Sequence, residues 1–177
     1  LDQPFLLMIA GPNGSGKTTL TRWLRHNDID LGQYINPDDI ALELEGSYEA
    51  RTAQAQQIAD RRREEYITTK QSFSFETVMS HPSKLEVLVR ARQAGFFILV
   101  YFVGIEDPQI NVERVALRVA QGGHDVPLER IRPRWVRSMN QARRRSCWPT
   151  RHMYSTTAIP TSAEQPLGLS CAGNTTG

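Results

Sequence analysis

Apolar and polar positions fall into blocks along the chain, and the blocks read as strands alternating with helices. Phe5–Ala10 is a short continuous apolar run, as a buried strand would be, and the stretch from Lys17 to about Arg25 is helix-compatible. Gln33–Asn36 reads as a short second strand ended by Pro37, which suits the first turn of a helix over Asp38–Glu45 because its missing N–H is not needed there. Ser47 to about Thr69 is helix-favouring, with only a weak apolar stripe at Ala50, Ala53, Gln57, Ile58 and Ile67. Ser72–Val78 alternates polar and aromatic residues as a strand does, Pro82 opens a helix over Ser83–Ala94, and Gly95 caps it. Phe96–Val103 is the longest apolar run and predicts a fully buried parallel strand. Val112–Ala120 is amphipathic, Gly122–Pro127 is a loop, and a further helix is predicted from Leu128 to about Arg143. From about Ser146 neither period is visible, which predicts an irregular tail.

Strands alternating with helices predict a three-layer α/β fold with a mainly parallel sheet. The 177 residues suit one domain over 1–145 followed by the tail 146–177. With 40% hydrophobic and 23% charged residues the chain reads as an ordinary soluble domain, and a net charge of +2 is too small to argue by itself for a nucleic-acid partner, which is not expected. No apolar run is long enough to span a bilayer, so no membrane association is expected. The start lacks the basic and apolar regions of a signal peptide, and Cys147 and Cys171 lack metal-ligand spacing. Both features fit a cytoplasmic protein with incidental thiols.

Candidate chemistry begins between the first strand and the first helix, at Gly11-Pro12-Asn13-Gly14-Ser15-Gly16-Lys17-Thr18-Thr19. A glycine-rich loop that opens a helix with lysine and threonine is a phosphate-binding loop for ATP or a related triphosphate. Gly11, Gly14 and Gly16 let backbone amides turn toward phosphate oxygens. The helix start adds unpaired N–H groups, Lys17 can reach the β- and γ-phosphates, and the Thr18 hydroxyl can ligate Mg²⁺.

Phosphoryl transfer also needs an acceptor, a base and cations around the transferring oxygens. Asp38, Asp39 and Glu76 are the acids that end strands, whereas Phe96–Val103 is followed by Gly104-Ile105 before Glu106. Two acidic strand tips beside a phosphate loop suit a kinase, one carboxylate serving as base and another binding acceptor hydroxyls or Mg²⁺-bound water. The alternative for Asp38 and Asp39, weaker for the pair than for Asp39 alone, is a charge that complements a helix dipole. Arg114 and Arg118 share a helix face and lead into Gly122-Gly123, His124, Arg130, Arg132 and Arg134, a pattern that suits an arginine-bearing lid on a glycine hinge.

Gly11–Thr19, Asn36-Pro-Asp-Asp-Ile-Ala41, Phe75-Glu-Thr77 with Ser80, and Arg114 through Pro127 together resemble the zeta-toxin family of P-loop kinases, in the family's order and over roughly residues 5 to 140. The glycine-glycine-histidine stretch most resembles the chromosomal zeta-like branch. The resemblance implies a nucleotide-kinase-like fold, ATP and Mg²⁺ as cofactors, and a small-molecule acceptor such as UDP-N-acetylglucosamine phosphorylated on its sugar. It also implies a toxin with an antitoxin partner. By resemblance Lys17 is the phosphate-binding lysine, Thr18 the Mg²⁺ ligand, Asp38 the base with Asp39 less favoured, and Glu76 the acid that binds the sugar nucleotide. Arg118 matches the first charge-stabilising arginine. His124 stands where the second is expected, with Arg132 or Arg134 as substitutes, and Arg114 joins the substrate side.

The resemblance departs at the tail, where the family's last strand and a Tyr-Asp-Asn-Ser-like segment are missing. Read back through the codon table, His152–Thr157 in the +2 frame can encode Tyr-Val-Phe-Tyr-Asp, so a frameshift after about Asn140 is expected. Two other functions compete with a kinase. One is an ATPase or nucleotide-dependent switch without an acceptor; the other is a binding module using the Arg61–Arg63 and Arg143–Arg145 clusters on nucleic acid.

Overall fold

The computed structural model describes residues 3–123 and 126–143, together with the backbone of 152–157 and 170–171. Strands β1 (Phe5–Ala10), β2 (Gln33–Ile35), β3 (Phe73–Thr77), β4 (Phe97–Gly104), β5 (His152–Thr157) and β6 (Ser170–Cys171) form one sheet in the order β2-β3-β1-β4-β5-β6. All pairings are parallel except β5 with β6. Helices α1 (Lys17–His26), α2 (Pro37–Leu42), α3 (Tyr48–Thr69), α4 (Ser83–Gln93), α5 (Pro108–Ala120) and α6 (Leu128–Arg143) connect or flank the strands. This is the three-layer α/β arrangement expected.

The layers follow from the two-residue period of a strand. On β1, Leu6, Met8 and Ala10 join Phe73, Phe75, Val100 and the small residues Ala55 and Ala59 of α3 in one core cluster. The intervening Leu7 and Ile9 pack with Leu20 and Leu24 of α1 and with Val103 in another. A buried Phe or Leu contributes about 1.5–3 kcal/mol, so β1, buried from Leu6 to Ala10, is firmly held up to its C-terminal end. Parallel pairing brings the C-terminal ends of β1, β2, β3 and β4 to one sheet edge, and the register sets Ile9 opposite Glu76. In open α/β sheets that edge is where ligands bind.

Several boundaries differ from those the sequence predicts. Helix α5 starts at Pro108 rather than Val112, because the Asp107 side chain caps it by accepting from the Gln109 amide and Pro108 occupies the first turn. Helix α3 buries Ala55, Ala59, Arg63 and Ile67, spaced four apart, rather than the stripe beginning at Ala50 and Ala53. Arg63 is 1% exposed, so Arg61–Arg63 is not a continuous basic surface, which removes that cluster from the nucleic-acid alternative. The expectation of an irregular tail is corrected over His152–Thr157, which form β5 along β4. There the open edge of β4 supplies a full ladder of backbone partners to a segment with too little apolar content to signal a strand by itself. No helix among the described residues is long and apolar enough to cross a membrane.

Candidate active site

The phosphate loop is shaped by two close approaches. Gly11, at φ +150°, follows the buried β1, and a Cβ there would lie 2.1 Å from the Val103 carbonyl oxygen. Gly14, at φ +74°, leaves no room for a Cβ beside the Asn111 carbonyl oxygen at 2.6 Å. Asn111, fully buried on α5, donates its side-chain amide to the Asn13 carbonyl and ties the loop to that helix. Sequence reasoning missed Asn111, because a lone asparagine inside an amphipathic helix carries no local signal. The Lys17 ammonium donates to the carbonyls of Gly11 and Pro12, each at 2.9 Å, and so lies folded across the loop. Burial lowers its pKa to about 8, against the opposing pull of Glu76 and Asp38 and with a further push down from Arg118.

Glu76 is the penultimate residue of β3, the immediate neighbour of β1, and is 9% exposed. Three hydroxyls hold its carboxylate: Thr21 at 2.6 Å and Tyr34 at 2.7 Å donate to Oε1, and Thr18 at 3.1 Å donates to Oε2. Burial and the adjacent Glu76 charge push the Tyr34 phenol well above its ordinary value, so it remains a donor. The acid beside the phosphate-loop threonine therefore lies near the end of β3. Thr21 and Tyr34 are functional candidates the sequence did not flag, since their proximity to Glu76 arises from packing across α1 and β2.

Asp38 and Asp39 occupy the first turn of α2, where the Asn36 side chain caps the helix by accepting from the Asp38 amide at 3.1 Å. Both line the same open cleft of about 750 Å³ as Asn13, Gly14, Gly16, Lys17, Thr18, Thr19 and Glu76. Gly11, Pro12 and Ser15 shape the loop from behind. Arg114, Arg118 and Arg134 reach the cleft from α5 and α6, and Arg22, Arg63 and Lys84 join them unforeseen.

Gly122-Gly123, the glycine pair of the expected hinge, ends α5. The Gly122 amide donates to Val119 O and the Gly123 amide to Arg118 O, both at 2.9 Å, with Gly122 at φ +80°. These paired bonds form a Schellman cap that closes α5. Gly123 packs so tightly on Arg118 that a Cβ would meet its Cγ at 2.6 Å, so the glycine holds the arginine's stem in place. Arg132 instead donates to Gln109 Oε1 at 2.8 Å and is not among the cleft residues, so of the two substitutes only Arg134 reaches the site. His124 lies outside the described residues.

Comparison with known proteins shows the family and the fold. The family described as Zeta toxin matches residues 2–147. An uncharacterized protein of Haemophilus influenzae is 27% identical over 131 residues, covering 73% of this chain and 91% of its own length. A structure of the PezAT chromosomal toxin-antitoxin system of Streptococcus pneumoniae superposes with a TM-score of 0.65 at 14% identity, over 97% of this chain and 72% of that one. The AvrRxo1-ORF1:-ORF2 structure with ATP gives a TM-score of 0.68 at 16% identity, over 89% of this chain and 55% of that one. Both structural likenesses concern the fold.

Proposed function

The chain belongs to the zeta toxin family, and from that premise we propose that it is an ATP-dependent phosphotransferase acting on a hydroxyl of a small molecule. The observation that carries this reading is the convergence of Lys17, Asp38, Glu76 and Arg118 on one cleft from four different elements. The glycine-shaped loop would cradle the ATP phosphates, with Lys17 exchanging its two carbonyl partners for phosphate oxygens. Asp38, exposed to the cleft at the start of α2, would take the acceptor's proton as the hydroxyl oxygen bonds to the γ-phosphorus and the bond to ADP breaks. Arg118, with Arg114 and Arg134 alongside, would stabilise charge on the transferring phosphoryl group.

The residues present fit a magnesium ion. The Thr18 hydroxyl already meets a buried carboxylate at the loop's edge, a pairing of oxygen donors suited to a hard cation. Thr18 would hold Mg²⁺ with Glu76 behind it, and the ion when bound supplies charge neutralisation on the phosphates. Because three hydroxyls engage Glu76, this position supports a metal-side role better than direct binding of an acceptor sugar. Asp39 would remain on the acceptor side. A nucleotide sugar such as UDP-N-acetylglucosamine is the first acceptor to test, and the toxin-antitoxin likeness supports a small antitoxin as partner.

The deciding experiment incubates the chain with labelled ATP and a panel of nucleotide sugars, nucleotides and neutral metabolites. Transfer that requires an acceptor, disappears in Lys17→Ala, and disappears in Asp38→Ala while ATP still binds is the expected result. ATP hydrolysis indifferent to every acceptor would replace the kinase reading with a nucleotide-dependent switch, and full transfer by Asp38→Ala would overturn the assignment of the base.

A further inference from the structure

The chain leaves β3 through a turn with an unusual backbone. Met79 adopts φ +53°, a left-handed conformation that costs a residue with a side chain about 1–2 kcal/mol, and it is 1% exposed. Its side chain belongs to the main core cluster, and its amide donates to the Thr77 hydroxyl at 3.0 Å. Strain of this kind persists only where the surroundings over-determine it, and it gathers at functional sites. What the turn delivers is Ser80 and His81, both of which line the cleft.

Helix α4 then begins without a cap from the usual position. Its N-cap residue is Pro82, whose ring accepts no hydrogen bond. His81 supplies the missing acceptor: the Ser83 amide donates to Nδ1 at 3.2 Å, and the Ser83 hydroxyl lies 2.9 Å from the same nitrogen. A backbone N–H can only donate, so Nδ1 is the acceptor and the neutral ring carries its hydrogen on Nε2. The imidazole is exposed, and Nε2 has no hydrogen-bond partner among the described residues. One ring nitrogen is spent on the helix and the other is left for the cleft.

We propose that His81 is a specificity residue for the acceptor, its Nε2–H donating to an oxygen of the molecule that receives the phosphoryl group. The inference rests on the kinase reading for there being an acceptor, and adds a residue to it. Topology assigns the side. His81 follows β3 as Asp38 follows β2, and both strands lie on the flank of β1 away from β4 and the arginine-bearing helices after it. Lys84, one helical turn further on, is already paired with Asp60 at 3.3 Å. With Nδ1 engaged, the ring offers the cleft one donor and no acceptor. It therefore fits a hydroxyl, ether or carbonyl oxygen and refuses an ammonium group.

The two ring nitrogens can be replaced one at a time. In His81→Asn the side-chain carbonyl can accept from the amide two residues on, as Nδ1 does, but nothing stands at Nε2. In His81→Gln the longer side chain sets an amide N–H near the position of Nε2 and leaves the Ser83 amide without its partner. Binding of UDP-N-acetylglucosamine and, separately, of ADP with Mg²⁺ is measured by calorimetry on the full chain, alongside the Tm of each variant. We expect His81→Asn to keep its Tm and to lose roughly three- to tenfold in affinity for UDP-N-acetylglucosamine, as removal of one neutral hydrogen bond implies. His81→Gln should hold that affinity within about twofold while its Tm falls by about 2–4 °C. Affinity for ADP should change in neither. If sugar-nucleotide affinity instead follows Tm across the variants, His81 only caps α4 and the proposal falls. Equal affinity in every variant, or no binding by the unsubstituted chain, overturns it as well. Loss of binding confined to His81→Asn, in a chain that transfers phosphate to no acceptor, would sink the kinase reading and leave this contact standing. Transfer left unimpaired by His81→Asn would do the reverse.

Discussion

The Tyr34 hydroxyl lies 2.7 Å from Oε1 of Glu76, so a residue on the edge strand β2 fixes the acid at the tip of β3. With Thr21 donating to the same oxygen, Glu76 is held from both sides before any ligand arrives. Tyr34→Phe removes one hydrogen bond to a charged group and should cost about 1.5 kcal/mol of stability in urea unfolding. Tyr34→Phe with Thr21→Val should in addition raise the Mg²⁺ concentration needed for ATP binding. Unchanged Mg²⁺ dependence in the double variant would argue that Glu76 needs no such support.

The depressed Lys17 gives ATP binding a pH signature. Below about pH 8 the ammonium is charged and available to phosphate, and above it the unliganded protein loses that proton. Affinity for ATP should therefore be level up to about pH 8 and then fall, by at most about tenfold per pH unit. Lys17→Arg, whose charge persists, should bind ATP with little change between pH 7 and 9.5. Fluorescent-nucleotide titration across that range checks both.

Gly122 and Gly123 should respond differently to alanine. At Gly122 a Cβ meets nothing within 4 Å, so Gly122→Ala faces only the cost of a left-handed backbone, about 1–2 kcal/mol. At Gly123 the new methyl collides with the stem of Arg118 and with its carbonyl oxygen at 2.9 Å. Gly123→Ala should displace that arginine and lower kcat by up to on the order of 10²-fold with the fold retained. Steady-state kinetics and thermal unfolding on the pair of variants distinguish the two effects.

Asn111→Asp replaces a donor with an acceptor facing the Asn13 carbonyl. It should destabilise the chain by about 1–3 kcal/mol and weaken ATP binding by loosening the loop. Calorimetric unfolding with and without ATP reads both terms.

Arg134→Ala should slow phosphoryl transfer, whereas Arg132→Ala, which breaks only the bond to Gln109, should not. Equal losses from the two would mean that α6 moves during the reaction.

The order of strands and helices through α6, the glycine-rich loop, and the acids just after β2 and near the end of β3 were legible in the sequence, because each rests on local patterning. A short apolar run, a glycine-rich turn and a proline one residue past a strand each act within a few positions. The network around Glu76 was not legible. Thr18, Thr21 and Tyr34 meet it only because β2 and β1 flank β3, and pairing order is not written in any one segment. Arg63 misled for a related reason. Within Arg61-Arg-Arg-Glu-Glu65 it looks like its exposed neighbours, and only the helical phase set by Ala55 and Ala59 turns it inward onto Phe75. The strand over His152–Thr157 shows the same limit, its partner lying some fifty positions earlier in the chain.

The strand order β2-β3-β1-β4 has a consequence for how such a molecule can diversify. Everything on the acid-bearing flank of β1, from β2 through α4, comes from one uninterrupted stretch, 33–93, and the arginine-bearing flank comes from another, 97–143. The phosphate loop stands between them as a hinge-pin common to both. Exchange of the first stretch alone would replace Asp38, Asp39 and Glu76 without touching Arg114, Arg118 and Arg134. A chimera carrying a homologue's stretch in place of 33–93 would thus change the acid-bearing wall of the cleft while leaving the phosphate loop, Arg114, Arg118 and Arg134 this chain's own.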